Sequence, residues 1–450
     1  MVQVLELKQA GSLSQREDSH PARESKVQSY IFPMGSIPFR RRIGIGAALS
    51  AISIGMQLTA FLVNNLLAHL LGAGPFAQYA LVTTDFALFS ILADFGIGAT
   101  VLSLFAGRLN QPSTVWSVFL TKWVMGLFAT IAMLGMAFGI RVEEGLATPV
   151  AVMSFGFLLS PTLVEWYFLG NRLWKELFRF KLIHALSYFA GGVTLFIVGF
   201  ESITAVALMA TLAPLPALIY GLSRLPFPRS LRLKETQKKI IPALLRRSAP
   251  IAISSLASFA YMPIMIYAMN SCWSDLNAKA AFTAAQKVIL VLTGIVMQFF
   301  TSEQVHYDRF GSHRLSSKWR RVASYTLFSS LALLPFWLFA PEILRIFFFG
   351  LNWNGEMSAI AGKTGRLLSI SILLQFVRLP ALVQLMAQRQ FWLSMAVVLT
   401  GGICNLLSLS WAVRHAPSEI ALAGLAGDFV ATTAMLFLFF RPKGNRSKGR

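Results

Sequence analysis

Residues 115–140 read VWSVFLTKWVMGLFATIAMLGMAFGI and contain a single charged side chain, Lys122. A helix needs about 20 apolar residues to cross the roughly 30 Å hydrocarbon layer of a bilayer. The run is longer than that and continuously apolar, whereas the strands of a membrane barrel alternate apolar and polar residues. The stretch therefore predicts a membrane-spanning helix.

Eleven further runs of this kind lie along the chain, which gives twelve predicted spans. The spans are 43–69, 76–103, 115–139, 147–169, 180–200, 202–223, 246–270, 277–300, 322–340, 357–387, 391–413 and 418–440. They predict an all-α fold, a polytopic membrane protein with about 12 transmembrane helices.

The composition agrees with this class and excludes two others. Of the 450 residues, 55% are apolar and 13% are charged, yet the net charge is +21. An ordinary soluble domain has about 25% charged residues, and a nucleic-acid-binding protein of this charge would carry basic patches. No nucleic-acid partner is therefore expected. The two cysteines, Cys272 and Cys404, exclude a disulfide scaffold.

The basic residues indicate the orientation of the chain. With a cytoplasmic N-terminus, the cytoplasmic tails and loops with the adjoining span ends hold 32 Lys and Arg residues, the opposite loops and span ends hold four, and the span interiors hold four. Cytoplasmic loops of membrane proteins are enriched in Lys and Arg, so both termini are predicted to be cytoplasmic. Residues 1–42 lack the apolar segment of a signal peptide and are predicted to be a retained tail.

The spans and charges divide the chain into two halves. We predict a disordered basic tail over 1–42, a six-helix lobe over 43–223, a basic cytoplasmic linker over 224–245, a second six-helix lobe over 246–440 and a basic tail over 441–450.

The two lobes begin with similar sequences. Arg41-Arg42 precede IGIGAALSAIS, and Arg246-Arg247 precede SAPIAISSLAS. Aligning Tyr79 with Phe282 gives an offset of 203 residues, and aligning Arg42 with Arg247 gives 205. The pattern indicates a duplicated six-helix unit in parallel orientation, which is one of the repeat schemes of secondary transporters.

Several segments carry a family resemblance. LLGAGPFAQYALV (70–82) and LADFGIGATVLSLFAG (92–107) resemble the opening of O-antigen and polysaccharide flippases of the Wzx type. SPTLVEWYFLGNRLWKELFRFKLI (160–183), AFTAAQKVI (281–289) and APEILRIFFFG (340–350) are similar to later segments of that family, so the resemblance covers residues 40–440. Ala77 stands where Gly is usual, and Phe282 where Tyr is usual.

This resemblance implies the fold of the multidrug/oligosaccharidyl-lipid/polysaccharide exporter superfamily, with two six-helix lobes around a central cavity. It implies a bacterial inner-membrane protein that flips an undecaprenyl-diphosphate-linked oligosaccharide by alternating access, without a cofactor. Implied partners are membrane lipids, polysaccharide polymerase and glycosyltransferases. A cation-coupled multidrug antiporter of the same fold and a membrane-embedded polymerase or glycosyltransferase remain alternatives.

Ionisable residues inside spans are candidates for function because they are costly there. Lys287 lies near mid-depth and is expected to face a cavity anion or an acidic partner. Asp85 is expected to be that partner or, alternatively, a proton-coupling carboxylate. Arg378 and Arg366 are further candidate cavity cations, with Lys363 on the same helix face as Arg366.

Other candidates lie nearer the span ends. Arg42 and Arg247, at symmetric cytoplasmic mouths, have topological anchoring and contact with anionic lipids as their simplest role. The alternative is that they bind a diphosphate, which the bidentate guanidinium suits. Asp94 is expected to cap a broken turn or to pair with Arg42 or Arg108, and Asp428 to face the core of the second lobe or a pocket. Both are candidate coupling or ion-pair carboxylates.

Motifs of other chemistries are absent from the sequence. AGKTG (361–365) has Met357 where a nucleotide-binding loop requires glycine. No metal-ligand spacing and no GxSxG motif occur. The sequence therefore predicts a secondary transporter and no enzyme.

Overall fold

The structure, a computed structural model, describes residues 39–104, 111–171, 173–226, 235–259, 263–307, 315–348, 351, 353–387 and 390–440. In these ranges the regular elements are all helical. The chain divides into two compact units, Met1–Ala47 and Ala48–Arg450. The contacts described below lie within the second unit.

The helices are α1 (Phe39–Leu71), α2 (Ala73–Asp94), α3 (Ile97–Leu104), α4 (Pro112–Gly139), α5 (Ala147–Ser154), α6 (Thr162–Gly170), α7 (Trp174–Val198), α8 (Ile203–Leu212), α9 (Leu215–Arg224), α10 (Glu235–Phe259), α11 (Pro263–Cys272), α12 (Leu276–Tyr307), α13 (Leu315–Leu338), α14 (Ala340–Phe347), α15 (Gly355–Ala387), α16 (Phe391–Ala412) and α17 (Ile420–Phe440).

Ten stretches of the described residues are helical, long and apolar enough to cross a membrane. They coincide with ten of the twelve predicted spans. The two remaining predicted spans, 277–300 and 322–340, fall almost entirely on the long helices α12 and α13. The predicted class, an all-α polytopic membrane protein, is therefore confirmed.

Glycine and proline interrupt several spans. Phe95 and Gly96 adopt left-handed conformations, with φ of 47° and 67°, and separate α2 from α3. Pro214 lies between α8 and α9. It interrupts the helix because proline lacks the amide hydrogen that the helical hydrogen-bond pattern needs. Such breaks are tolerated at membrane depth where neighbouring groups satisfy the freed backbone.

The helices run between two ends, which are named after a residue at each. The "Gly72 end" carries the turns at Gly72, at 140–146 and at Trp273–Asp275; the "Arg224 end" carries α3 and the C-terminus of α9. At the Gly72 end, a Cβ placed on Gly74 would lie 3.4 Å from Leu276 Cδ1. The N-terminal half, before residue 226, therefore meets the C-terminal half at the start of α2.

Candidate functional site

An apolar seam joins the two halves near the Gly72 end. Phe76 and Tyr79 of α2 and Ala281 and Phe282 of α12 are almost fully buried. The ring of Phe348, which follows α14, lies 5.9 Å from that of Phe76. Burial of these side chains closes this end, because apolar surface removed from water contributes about 25 cal/mol per Å².

Lys287 lies farther along α12, deeper in the bundle than this seam. Its Nζ donates a hydrogen bond to Thr83 Oγ1 of α2 at 3.1 Å and lies 5.8 Å from the ring centroid of Tyr79. Tyr79 in turn is hydrogen-bonded to Tyr188. Among the described residues, no carboxylate lies within ion-pairing distance of Lys287. The ammonium group is therefore held at the meeting of the two halves by neutral groups.

The Lys287–Thr83 contact also bears on the sequence repeat. The two residues are 204 positions apart, between the two offsets of 203 and 205 that align the halves. By the offset of 203 that aligns Tyr79 of α2 with Phe282 of α12, Lys287 corresponds to Thr84, the residue next to Thr83. The two helices therefore meet close to positions that the predicted repeat aligns, with a cation on α12 and hydroxyls on α2.

Asp85 forms the centre of a buried polar cluster. Arg141 contacts both of its carboxylate oxygens, with Nε–Oδ2 and Nη2–Oδ1 distances of 2.9 Å. Tyr267, on α11 of the other half, donates its hydroxyl hydrogen to Asp85 Oδ1. The expected pairing of Asp85 with Lys287 is therefore wrong. The two parallel hydrogen bonds of a bidentate guanidinium outcompete one ammonium contact.

Arg141 has a second acidic partner. Its Nη1 lies 2.6 Å from Glu144 Oε2, and Glu144 is half exposed. Burial lowers the pKa of the Arg141 guanidinium, but the hydrogen bonds and charges of Asp85 and Glu144 outweigh burial and raise that pKa above its ordinary value. Arg141 is therefore a permanent cation that neutralises Asp85.

Asp428 has a comparable cluster inside the C-terminal half. Arg378 Nη1 lies 2.8 Å from Asp428 Oδ1, Gln375 donates to Oδ2 at 3.2 Å, and Ser371 donates to Oδ2 as well. Asp428 on α17 is fully buried, and the three donors lie on α15. Of the two expected orientations for Asp428, the structure shows the one toward the core of its own lobe.

Asp94 ends α2 and pairs with Lys122 of α4. This differs from the expected pairing with Arg42 or Arg108, of which Arg108 lies outside the described residues. Lys122, the single charge of the predicted span 115–139, is 2% exposed. Asp94 is the last residue of α2, just before the Phe95–Gly96 break, and from there its carboxylate reaches Lys122.

Arg366, Lys363 and Arg247 take no part in the Lys287 contact. Arg366 is exposed and donates from Nε to the Trp337 carbonyl at 3.1 Å. Lys363 lies 3.6 Å from Glu419. Arg247 is exposed on α10, and Arg42 lies on α1 with its side chain outside the described residues.

Residues 45–302 match the model of a family described as "Polysaccharide biosynthesis protein". The chain belongs to this polysaccharide biosynthesis family. No curated protein matches the sequence.

Solved structures share the fold of this polysaccharide biosynthesis protein. An inward-facing multidrug resistance MATE family transporter of the MOP superfamily has a TM-score of 0.69 at 15% identity, over 87% of this chain and 97% of that one. A MOP superfamily transporter from Pyrococcus furiosus, described as having a binding pocket of reverse polarity, has a TM-score of 0.68 at 15% identity, over 88% of this chain and 94% of that one. Lipid II flippase MurJ in an inward closed conformation has a TM-score of 0.66 at 10% identity, over 86% of each chain.

The clusters of this polysaccharide biosynthesis protein include residues that sequence reasoning missed. Arg141 lies in a short acidic loop, RVEEG, which is typical of a solvated turn. Tyr267 lies in a predicted span and carries no formal charge, so its sequence position does not distinguish it from the other aromatic residues of the spans. Thr83 could have been found, because the offset of 203 between the two predicted repeats places the adjacent residue, Thr84, opposite Lys287.

Proposed function

We propose that this protein is a flippase that moves an undecaprenyl-diphosphate-linked oligosaccharide across the bacterial inner membrane by alternating access, without ATP hydrolysis. The observation that carries the proposal is Lys287, a cation between the two halves with no carboxylate partner among the described residues. Membership of the polysaccharide biosynthesis family and the shared fold with a lipid II flippase support the same assignment.

Lys287 suits an anionic ligand because of what surrounds it. Its ammonium group donates to a neutral hydroxyl, Thr83 Oγ1, and a diphosphate oxygen would offer an anionic acceptor instead, in a bond of about 1.5–3 kcal/mol. By contrast, Arg378 is held by Asp428, and Arg141 is held by Asp85. We therefore assign the cavity cation to Lys287 and structural roles to Arg378 and Arg141.

The proposed route follows the predicted topology. With both termini cytoplasmic, the Arg224 end faces the cytoplasm and the Gly72 end faces the opposite side. Arg42 and Arg247 would attract the diphosphate at the cytoplasmic mouths, as arginine suits phosphate groups. Cytoplasmic glycosyltransferases would supply the substrate. Transport would then open the seam of Phe76 and Phe282 and release the lipid on the far side, where polysaccharide polymerase would use it.

A cation-coupled drug antiporter is the second candidate, because a MATE transporter shares the fold. The position of Lys287 favours the first candidate. A cationic drug between the halves would meet an ammonium group that no described carboxylate neutralises.

The deciding experiment is transport by the full chain in proteoliposomes. The substrate is a fluorescent oligosaccharide on undecaprenyl diphosphate, and arrival in the outer leaflet is read as lectin or quencher accessibility. Wild type and Lys279→Gln, a variant of another lysine on α12, are expected to flip it, and Lys287→Gln is expected to lose at least about 90% of the rate. Accumulation of a cationic dye with no flipping by wild type would favour the antiporter and contradict the proposal.

A further inference from the structure

We infer that Tyr267, Asp85 and Arg141 form a latch that holds the Gly72 end closed. Tyr267 belongs to α11 in the C-terminal half, whereas Asp85 and Arg141 belong to the N-terminal half. The hydroxyl of Tyr267 donates to Asp85 Oδ1 across the boundary. The hydrogen bond exists only while the two halves meet there.

The latch is built on a buried carboxylate. Asp85 is 0% exposed and Arg141 is 5% exposed, so water does not compete for the acceptor while the end is closed. A hydrogen bond to a charged acceptor at such a site is stronger than one between neutral groups. The guanidinium of Arg141 lies 5.5 Å from the centroid of the Tyr267 ring and adds a second attraction across the same boundary.

The arrangement allows the latch to release. When Tyr267 leaves, Asp85 keeps both bonds to Arg141, and Arg141 keeps Glu144. No charge loses its counter-charge, which is the change that makes breaking a buried pair so costly. The bond that breaks is the one that crosses the halves, and the ion pair stays intact on one side.

The neighbouring contact of Lys287 with Thr83 also crosses the halves. It is the contact that an anionic substrate would displace. The latch at Asp85 does not depend on that substrate, because none of its three side chains is assigned to binding. The two ideas can therefore fail separately.

A labelling experiment without substrate tests the latch. In the full chain carrying Cys272→Ser and Cys404→Ser, an Ala281→Cys substitution places a thiol on the buried seam of α12. Its rate of reaction with a membrane-impermeant maleimide in proteoliposomes reports the fraction of molecules open at the Gly72 end. Tyr267→Phe is expected to raise this rate about tenfold, the change that loss of one such hydrogen bond gives.

Two controls separate a latch from general loosening. Tyr220→Phe removes another tyrosine–carboxylate bond, to Glu176, but both partners lie in the N-terminal half, so the rate is expected to stay unchanged. Ala207→Cys, buried inside the N-terminal half, is expected to label equally slowly with and without Tyr267→Phe. An unchanged rate at position 281, or an equal rise at 207 or with Tyr220→Phe, would overturn the inference.

Discussion

Two buried arginine–aspartate pairs stabilise this membrane protein, and they differ in where their other partners lie. Asp428 receives Arg378, Gln375 and Ser371 from a single helix of its own half. Asp85 receives Arg141 from its own half and Tyr267 from the other. The first pair therefore behaves as fixed scaffolding, and the second couples its ion pair to the relative position of the halves.

The comparison extends to Lys287. Its partner on α2 is the neutral side chain of Thr83, whereas each arginine of the two aspartate clusters contacts a carboxylate. A cation bonded to a neutral hydroxyl at 3.1 Å is free to exchange that partner for an anion. The cations in the two aspartate clusters are not, because a carboxylate already holds each of them.

The largest expected effect comes from breaking the fixed pair. Arg378→Ala leaves Asp428 buried with neutral donors, and loss of one partner of a buried ion pair costs about 3–5 kcal/mol. We expect little folded protein, measured as monodisperse yield and melting temperature in detergent. Arg345→Ala, at an exposed arginine, should melt like wild type, and Arg378→Ala combined with Asp428→Ala should recover part of the loss. Wild-type melting of Arg378→Ala alone would refute the scaffolding role.

Glycines sharpen the contrast between contacts inside a half and contacts across the halves. A Cβ at Gly221 would lie 2.5 Å from Val164 in the same half, and one at Gly96 would lie 2.7 Å from Ile251 in the other half. Gly221→Ala is expected to lower the free energy of unfolding by about 1–3 kcal/mol through overpacking, and this is measured as a lower melting temperature. Gly96→Ala adds backbone strain of about 1–3 kcal/mol and pushes the halves apart at the Arg224 end.

The readout for Gly96→Ala is the maleimide reaction at Ala281→Cys, which should slow because separation at the Arg224 end favours closure of the Gly72 end. Gly72→Ala is the matched control, since Gly72 has a φ of 72° and no neighbour within 4 Å of a built Cβ. Equal labelling in the two variants would show that strain, and not the approach of the halves, sets the rate.

The smallest effect is expected at Arg366. This residue shares α15 with Arg378 but is exposed and bonds a backbone carbonyl. Arg366→Gln should change stability by no more than about 0.5 kcal/mol and leave flipping at the wild-type rate. A loss of flipping in folded protein would place Arg366 in the transport path and break the contrast with Arg378.

Sequence patterns predicted the helices because hydropathy and length act locally. Residues 115–140 contain one charge, and the helix Pro112–Gly139 follows from that run alone. The pairing of charges was less accessible. Asp85 and Arg141 are 56 residues apart, and choosing Arg141 over Lys287 depends on how a short loop folds back between helices.

Lys287 shows the opposite case. Its position deep in a span identified it from the sequence, but its partner Thr83 was not identified, because the charge of Asp85 made that residue the expected partner. The absence of a carboxylate around Lys287 within the described residues is a property of three-dimensional packing, which spacing along the chain does not encode.

The most direct test of the central claim is binding of a short-chain prenyl diphosphate to the purified full chain, measured by calorimetry. Lys287→Gln is expected to weaken the affinity by about ten- to a hundredfold, the equivalent of one charge-assisted hydrogen bond, while Lys287→Arg retains most of it. Lys279 lies on α12 with Lys287, and its Nζ donates to the Asn270 carbonyl of α11. Lys279→Gln should therefore bind like wild type. Equal affinity of Lys287→Gln and wild type would contradict the assignment of Lys287 as the cation that holds the substrate.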